Sequence, residues 1–174
     1  PPYGFASFPL SLGCFRRQFF QKANILLRKF AKEFICQLPD LLETKKNGKP
    51  TVSVVPNGYL LLFDKDQADE QYEALKNHNS CDAETKNIKA EELPKVFPWI
   101  SSEGLETATY TDSKVEGWVD PHMFHAALRN KAIELGAIFE KKEIKNINEI
   151  EAETIITAAG CWTNKLLSEI PVAP

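Results

Sequence analysis

Apolar residues recur at helical spacing between Asn24 and Leu38. Ile25, Leu26, Phe30, Phe34 and Leu38 form one stripe, while Lys22, Arg28, Lys29 and Lys32 populate the other face. The pattern predicts an amphipathic helix, stopped by Pro39, which cannot donate to the ladder. Before it, residues 1–20 mix prolines, glycines, serines and aromatics without a period and read as an ordered loop. After it, Thr44–Pro50 reads as a turn. Thr51–Val55 and Tyr59–Phe63 are β-prone runs around Pro56-Asn57-Gly58, which predicts a hairpin. Asp66–Asn77 reads as a polar surface helix, Thr85–Lys89 as a short strand, Ala90–Val96 as a short helix and Leu105–Tyr110 as a strand. Glu116–Pro121 reads as a turn that launches a helix, with Asp120 as N-cap, Pro121 at the first helical position and Gly136 just past Leu135. Ala137–Glu140 and Lys141–Asn146 read as strands, and Glu153–Ala158 as a buried strand closing the sheet. Strands and helices alternate after a hairpin, so the expected class is α/β with mixed α+β character.

Composition narrows this little. The chain has 174 residues, 43% hydrophobic and 26% charged, with a formal net charge of −3. That is enough chain for one domain with a core, and its charge makes no general case for nucleic acid. No apolar run approaches the ~20 residues that cross a bilayer. Cys14, Cys36, Cys81 and Cys161 are scattered, which fits reduced thiols rather than a disulfide framework. Pro1-Pro2-Tyr3-Gly4 is neither a signal peptide nor a basic presequence.

Candidate chemistry concentrates near the C-terminus. Ile155-Ile156-Thr157-Ala158-Ala159-Gly160 reads as a strand ending in small residues, followed by a helix from Trp162 to Ile170. Small residues let the backbone approach a flat or charged ligand, and a helix N-terminus offers unpaired N–H groups. Cys161 reads as a buried small apolar residue. On composition alone Arg16 and Arg17 read as surface charges, and His78 and Cys81 also read as surface. His122 and His125 lie three apart, without the further ligands a zinc site needs. No residue reads as a general base.

Three blocks carry a resemblance. The first is Ala6-Ser7 with Ser11-Leu12-Gly13-Cys14-Phe15-Arg16-Arg17-Gln18-Phe19. The second joins Asn57-Gly58-Tyr59-Leu60, Glu92-Leu93-Pro94-Lys95-Val96-Phe97-Pro98-Trp99-Ile100 and Glu116-Gly117-Trp118-Val119-Asp120-Pro121. The third is Ala158-Ala159-Gly160-Cys161-Trp162-Thr163-Asn164-Lys165-Leu166-Leu167. In this order the chain resembles the D-amino-acid-oxidase-like FAD-dependent oxidoreductases, which include sarcosine and dimethylglycine oxidases and dehydrogenases. Phe97-Pro98-Trp99-Ile100 with Glu103-Gly104 favours a mitochondrial member linked to assembly of respiratory complex I.

The resemblance implies a partial FAD/NAD(P)-binding Rossmann-like layer plus the mixed antiparallel sheet of a substrate domain. Along one incomplete domain, residues 1–50 would be flavin-proximal, 51–115 the substrate-domain sheet and helices, and 116–174 the return to the FAD-binding layer. It implies FAD as cofactor and a small amine or amino-acid substrate, with respiratory complex I subunits as partners in the alternative of an assembly factor acting mainly by binding. Ala6, Ser7, Ser11 and Gly13 fall where the family runs past the flavin and its pyrophosphate. Arg16 falls where members place a cation near the flavin ring or a substrate carboxylate, and it is the one candidate catalytic residue. Ile144 falls at a backbone contact to adenine, while Ala158, Ala159, Gly160 and Trp162 line the flavin. Gly13 and Gly160 are expected to face one dinucleotide slot.

The chain departs from the family pattern in three places. The Gly-x-Gly-x-x-Gly loop is absent, only a few residues stand between Ile147 and Glu153 where the family has a β-meander, and Cys14 replaces a common second glycine. The expectation is an internal piece of a larger flavoprotein, or an abridged gene product, that does not hold FAD tightly in isolation.

Overall fold

The computed structural model describes residues 6–112, 114 and 116–167. The chain divides into two units, Pro1–Ala137 and Ile138–Pro174. In the first, six short strands and four helices appear among the described residues, in the order β1 (Cys14–Phe15), α1 (Lys22–Leu41), β2 (Val54–Val55), β3 (Tyr59–Phe63), α2 (Lys65–Ser80), β4 (Lys86–Lys89), α3 (Leu93–Val96), β5 (Thr107–Thr111), β6 (Gly117–Val119) and α4 (Pro121–Glu134).

Helix α1 forms on the expected apolar stripe but buries a rotated face. Ile25, Ile35 and Leu38 are buried, whereas Leu26, Leu27 and Phe30 stay more than half exposed. Pro39 does not end the helix as expected. It gives up its own rung to Ile35, yet the N–H of Leu42 still reaches the Leu38 carbonyl at 2.9 Å, so the ladder continues past it.

The expected hairpin is also replaced. Val54 and Val55 pair with Val119 and Trp118, while Tyr59–Phe63 pairs antiparallel with Thr111–Thr107. The two runs therefore enter different three-stranded antiparallel sheets, ordered β1-β6-β2 and β3-β5-β4. Pro56-Asn57-Gly58 is the crossing between them, and the Gly58 N–H is taken by the Glu116 carbonyl at 2.9 Å. Gly117–Val119, expected within a turn, is the central strand of the first sheet.

The expected cap at Asp120 forms, and Asp64 supplies another that the sequence reading did not single out. Asp64 accepts from the Gln67 N–H at 3.0 Å to open α2, and Asp120 accepts from the Met123 N–H at 2.8 Å to open α4. Phe15, Ile35, Leu38, Leu42 and Ala127 form a core between the first sheet, α1 and α4. Ile88, Leu93 and Ala108 form a second under the other sheet, and Ile25, Cys81 and Ala83 a third, with Phe19 against it.

In the second unit the described residues form turns of 3-10 helix at Ile147–Glu149 and Gly160–Trp162, then α5 (Thr163–Leu166). The helix expected to begin at Trp162 thus begins one residue later, and residues 168–170 lie outside the described residues. The strands expected at Ala137–Glu140, Lys141–Asn146 and Glu153–Ala158 do not form. Ile138 and Ile156 are 87% and 88% exposed. β-branched residues favour extended backbone, but a strand exists only where a neighbour takes its N–H and C=O groups, and among the described residues none does. The fold class stands as expected: mixed α and β with small antiparallel sheets.

Candidate functional site

The candidate residues fall in both units. In the first, Ala6 is half-buried and Ser7 and Ser11 are exposed, all on the loop leading into β1. The Ser11 hydroxyl donates to the Phe8 carbonyl at 2.7 Å and accepts the Gly13 N–H at 3.1 Å, which closes a local turn. Gly13 has φ +64, and a Cβ there would sit 2.0 Å from the Val119 carbonyl oxygen. Its glycine identity is therefore demanded by strand β6.

Arg16 is half-buried. Its guanidinium lies 5.0 Å from the centroid of Phe19 and 5.8 Å from that of Tyr59, a cation–π seat. Among the described residues no carboxylate lies within ion-pair distance of it, so its charge is available to a ligand. The Tyr59 hydroxyl beside it stays protonated. Its pKa is pushed above the ordinary phenol value chiefly by hydrogen bonding with the Cys14 side chain, and next by burial.

Behind Arg16 lies a buried polar network that pattern reading missed. Glu116 is completely buried. One carboxylate oxygen accepts the backbone N–H groups of Arg17 and, at 3.2 Å, Gln18; the other accepts the Gln18 amide at 2.9 Å and the Thr111 hydroxyl at 2.5 Å. The same Gln18 amide donates to the Tyr59 carbonyl at 3.2 Å, and its oxygen accepts the Thr109 hydroxyl at 2.6 Å. Gly117 explains how the carboxylate comes to lie inside, because a Cβ there would sit 2.1 Å from the Val55 carbonyl oxygen. With only hydrogen, β6 closes onto β2 and carries Glu116 in. A charged residue beside glycine in a short β run was the one available sign.

Three surface expectations are corrected. Arg17 is buried, its guanidinium 3.8 Å from Glu84 and its Nε without a partner. Cys81 is buried beside Ile25 and Ala83. His78 is buried on the inner face of α2, in line with Ala68, Gln71 and Ala74, a spacing masked by the helix's polar composition.

His78 Nε2 lies 2.9 Å from the Phe19 carbonyl, which only accepts, so Nε2 carries the proton. Burial pushes its pKa below the ordinary value, against smaller upward pulls from the Phe19 carbonyl and the Glu116 charge. In the unfolded chain the imidazole titrates near about 6.5, so below that pH the unfolded state binds the extra proton first. The contribution to stability is complete above the unfolded value and is lost as pH falls through the folded one, at up to ~1.4 kcal/mol per pH unit. Urea unfolding from pH 7.5 downward should show this loss, and His78→Gln should flatten it; parallel curves for the two proteins would contradict it.

In the second unit, Ile144, Ala159 and Trp162 line one cavity of about 780 Å³, together with Lys142, Lys145 and Lys165. Ala158 and Gly160 lie at its margin in sequence and are exposed. A Cβ at Gly160 would meet nothing within 4 Å, so the backbone there is open to approach. Cys161, expected to be buried, is exposed in the same turn, because the strand meant to enclose it does not form. Glu143 and Leu166 complete the lining, and the Lys142 ammonium lies 3.9 Å from a Glu149 carboxylate oxygen. Three lysines against one glutamate leave the lining net positive beside an isoleucine and a tryptophan, which suits an anionic ligand with a flat ring.

Two solved structures share this fold. A glycine oxidase from Geobacillus kaustophilus aligns with a TM-score of 0.74 at 18% identity, covering 98% of this chain and 50% of that one. An L-proline dehydrogenase from P. horikoshii aligns with a TM-score of 0.60 at 22% identity, covering 76% of this chain and 33% of that one. Residues 11–174 match the family model for FAD dependent oxidoreductases, DAO, and the chain belongs to that family. Among its relatives are proteins named FAD-dependent oxidoreductase domain-containing protein 1. The one from Xenopus laevis is 31% identical over 92% of this chain, and the one from Bos taurus 27% identical over 94%. The chain spans 32% and 40% of their lengths.

Proposed function

We propose that this chain supplies flavin-contacting parts of an oxidoreductase acting on amines or amino acids. The observation that carries this is the second-unit cavity, whose lining gathers Ile144, Ala159 and Trp162 with three lysines and Glu143. Family membership supports FAD as the ligand. Lys142, Lys145 and Lys165 would hold its phosphates and Trp162 its adenine or ring system. Bound flavin would supply the acceptor for a hydride from the carbon next to an amine nitrogen, leaving an imine that hydrolyses. Arg16, seated on Phe19 and Tyr59, would clamp a substrate carboxylate or offset negative charge. Glycine oxidase and proline dehydrogenase among the structural neighbours favour an amino acid as the substrate class.

The chain should bind FAD weakly and riboflavin not measurably, by flavin fluorescence polarisation. Lys145→Glu should weaken FAD binding about tenfold, roughly 1.4 kcal/mol. Equal affinity for FAD and riboflavin, or no effect of the substitution, would rule out the cavity as a phosphate site. In a flavin-loaded protein carrying this chain, anaerobic addition of amino acids and N-methyl amino acids should bleach the flavin absorbance.

A second reading is a binding role in mitochondria, holding respiratory complex I subunits during assembly. Leu26, Leu27 and Phe30, more than half exposed along α1, favour a surface that another polypeptide covers. Co-purification of such subunits with a protein that no amine bleaches would select it over the first.

A further inference from the structure

We infer that Glu116 is a positioning residue for Arg16, fixing where its guanidinium points. The inference rests on the proposal above only in taking Arg16 as the group that meets the ligand.

Residue 116 receives the Arg17 and Gln18 amides on a single oxygen. The Arg17 N–H belongs to the peptide that Arg16 itself begins, so this contact sets the direction of the chain at Arg16. The far end of the arginine is governed in part by the same group. Its guanidinium rests on Tyr59 and Phe19. The Tyr59 carbonyl is tied to Gln18, whose amide is also held by Glu116. The Phe19 carbonyl is tied to His78 Nε2. The backbone at Arg16 and the Tyr59 side of its seat are therefore anchored to Glu116, while His78 holds the Phe19 side.

Stability alone does not account for a carboxylate here. Taking it out of water is offset only by donors that converge on it, and an apolar side chain of similar volume commonly serves a core as well or better. What the carboxylate adds is geometry: four donors from two segments far apart in sequence, Arg17–Gln18 and β5, meet at one point. It lies close behind Arg16 without pairing with the guanidinium, so the loop is fixed while the cation's charge is left for a ligand.

The test uses nuclear magnetic resonance on the chain. In the unsubstituted protein the Arg16 Nε–H signal should be displaced by the Phe19 and Tyr59 ring currents, and the Arg17 and Gln18 amides should exchange slowly. Glu116→Gln should speed exchange of those two amides about tenfold, the scale of one lost charge-assisted hydrogen bond, and return the Arg16 signal toward its free position while α4 amides stay unchanged. If Glu116→Gln fails to fold, Thr111→Val, which removes one donor and keeps the charge, should give the same shift at smaller size. An Arg16 signal unmoved by the folded variant overturns the inference.

In a flavin-loaded protein carrying this chain, Glu116→Gln should raise KM for a carboxylate substrate about tenfold with little change in kcat, as expected for a misplaced clamp. If Arg16→Ala changes neither parameter, the role given to Arg16 fails while the resonance result still decides the positioning claim. If Arg16→Ala impairs the protein and Glu116→Gln does not, the positioning claim fails.

Discussion

Gly13→Ala should destabilise the first unit by about 3 kcal/mol or more, read as a drop in its urea midpoint. Two effects add. An L-residue held in the left-handed region costs roughly 1–2 kcal/mol, and Gly13 has φ +64. The new methyl would also sit 2.0 Å from the Val119 carbonyl oxygen, a separation no packing tolerates. Relief requires β1 to move off β6, which breaks the 3.0 Å bond from the Val119 N–H to the Gly13 carbonyl and disturbs the entry to Arg16. Gly48→Ala is the internal control. It has φ +67 but nothing within 4 Å of its Cβ, so it should lose only the conformational part. Equal losses at the two sites would show that close approach to β6 is not what Gly13 provides. Because the contact lies within the protein, the loss should appear without any flavin present.

That glycine shows where sequence reasoning stops. Its importance was legible as a place where a ligand comes close, and the structure adds a reason that the sequence does not show, the Val119 carbonyl on β6. Local chemistry read well: the N-cap at Asp120 with Pro121 behind it needs only neighbouring residues, and it forms as expected. What failed was pairing. Tyr59–Phe63 is a strand whichever partner it takes, and nothing in Pro56-Asn57-Gly58 says that Thr107–Thr111 wins over Thr51–Val55. Glu153–Ala158 has the composition of a strand and no ladder among the described residues. Buried polar groups were least visible of all. His78, Arg17 and Glu116 look like solvent-facing residues one at a time. They are buried because donors and acceptors from segments up to 99 residues apart meet them, as in the contact from the Arg17 N–H to Glu116. In the second unit, Ile144, Ala159 and Trp162, singled out through the family pattern, share the lining of one cavity. Lys142, Lys145 and Lys165 were not singled out, because a lysine in sequence is a surface charge until a cavity gives it neighbours.

Ile25→Ala should cost the first unit about 2–5 kcal/mol, whereas Leu26→Ala, one position along the same apolar run, should change stability by no more than about 0.5 kcal/mol. The two residues are interchangeable by pattern and opposite in environment. Ile25 is fully buried among Cys81, Ala83 and Phe19, while Leu26 is 55% exposed. Truncating Ile25 leaves a void behind the Phe19 ring, the same ring that carries the Arg16 guanidinium at 5.0 Å. The expected result therefore has two parts: a lower urea midpoint, and a shifted Arg16 side-chain resonance in the folded variant as Phe19 settles into the space. Cys81, already excluded from solvent, should become open to a thiol reagent on the folded protein at the same time. Should Ile25→Ala and Leu26→Ala prove equally mild, the rotated packing of α1 would be wrong, and with it the support that places Phe19 under Arg16.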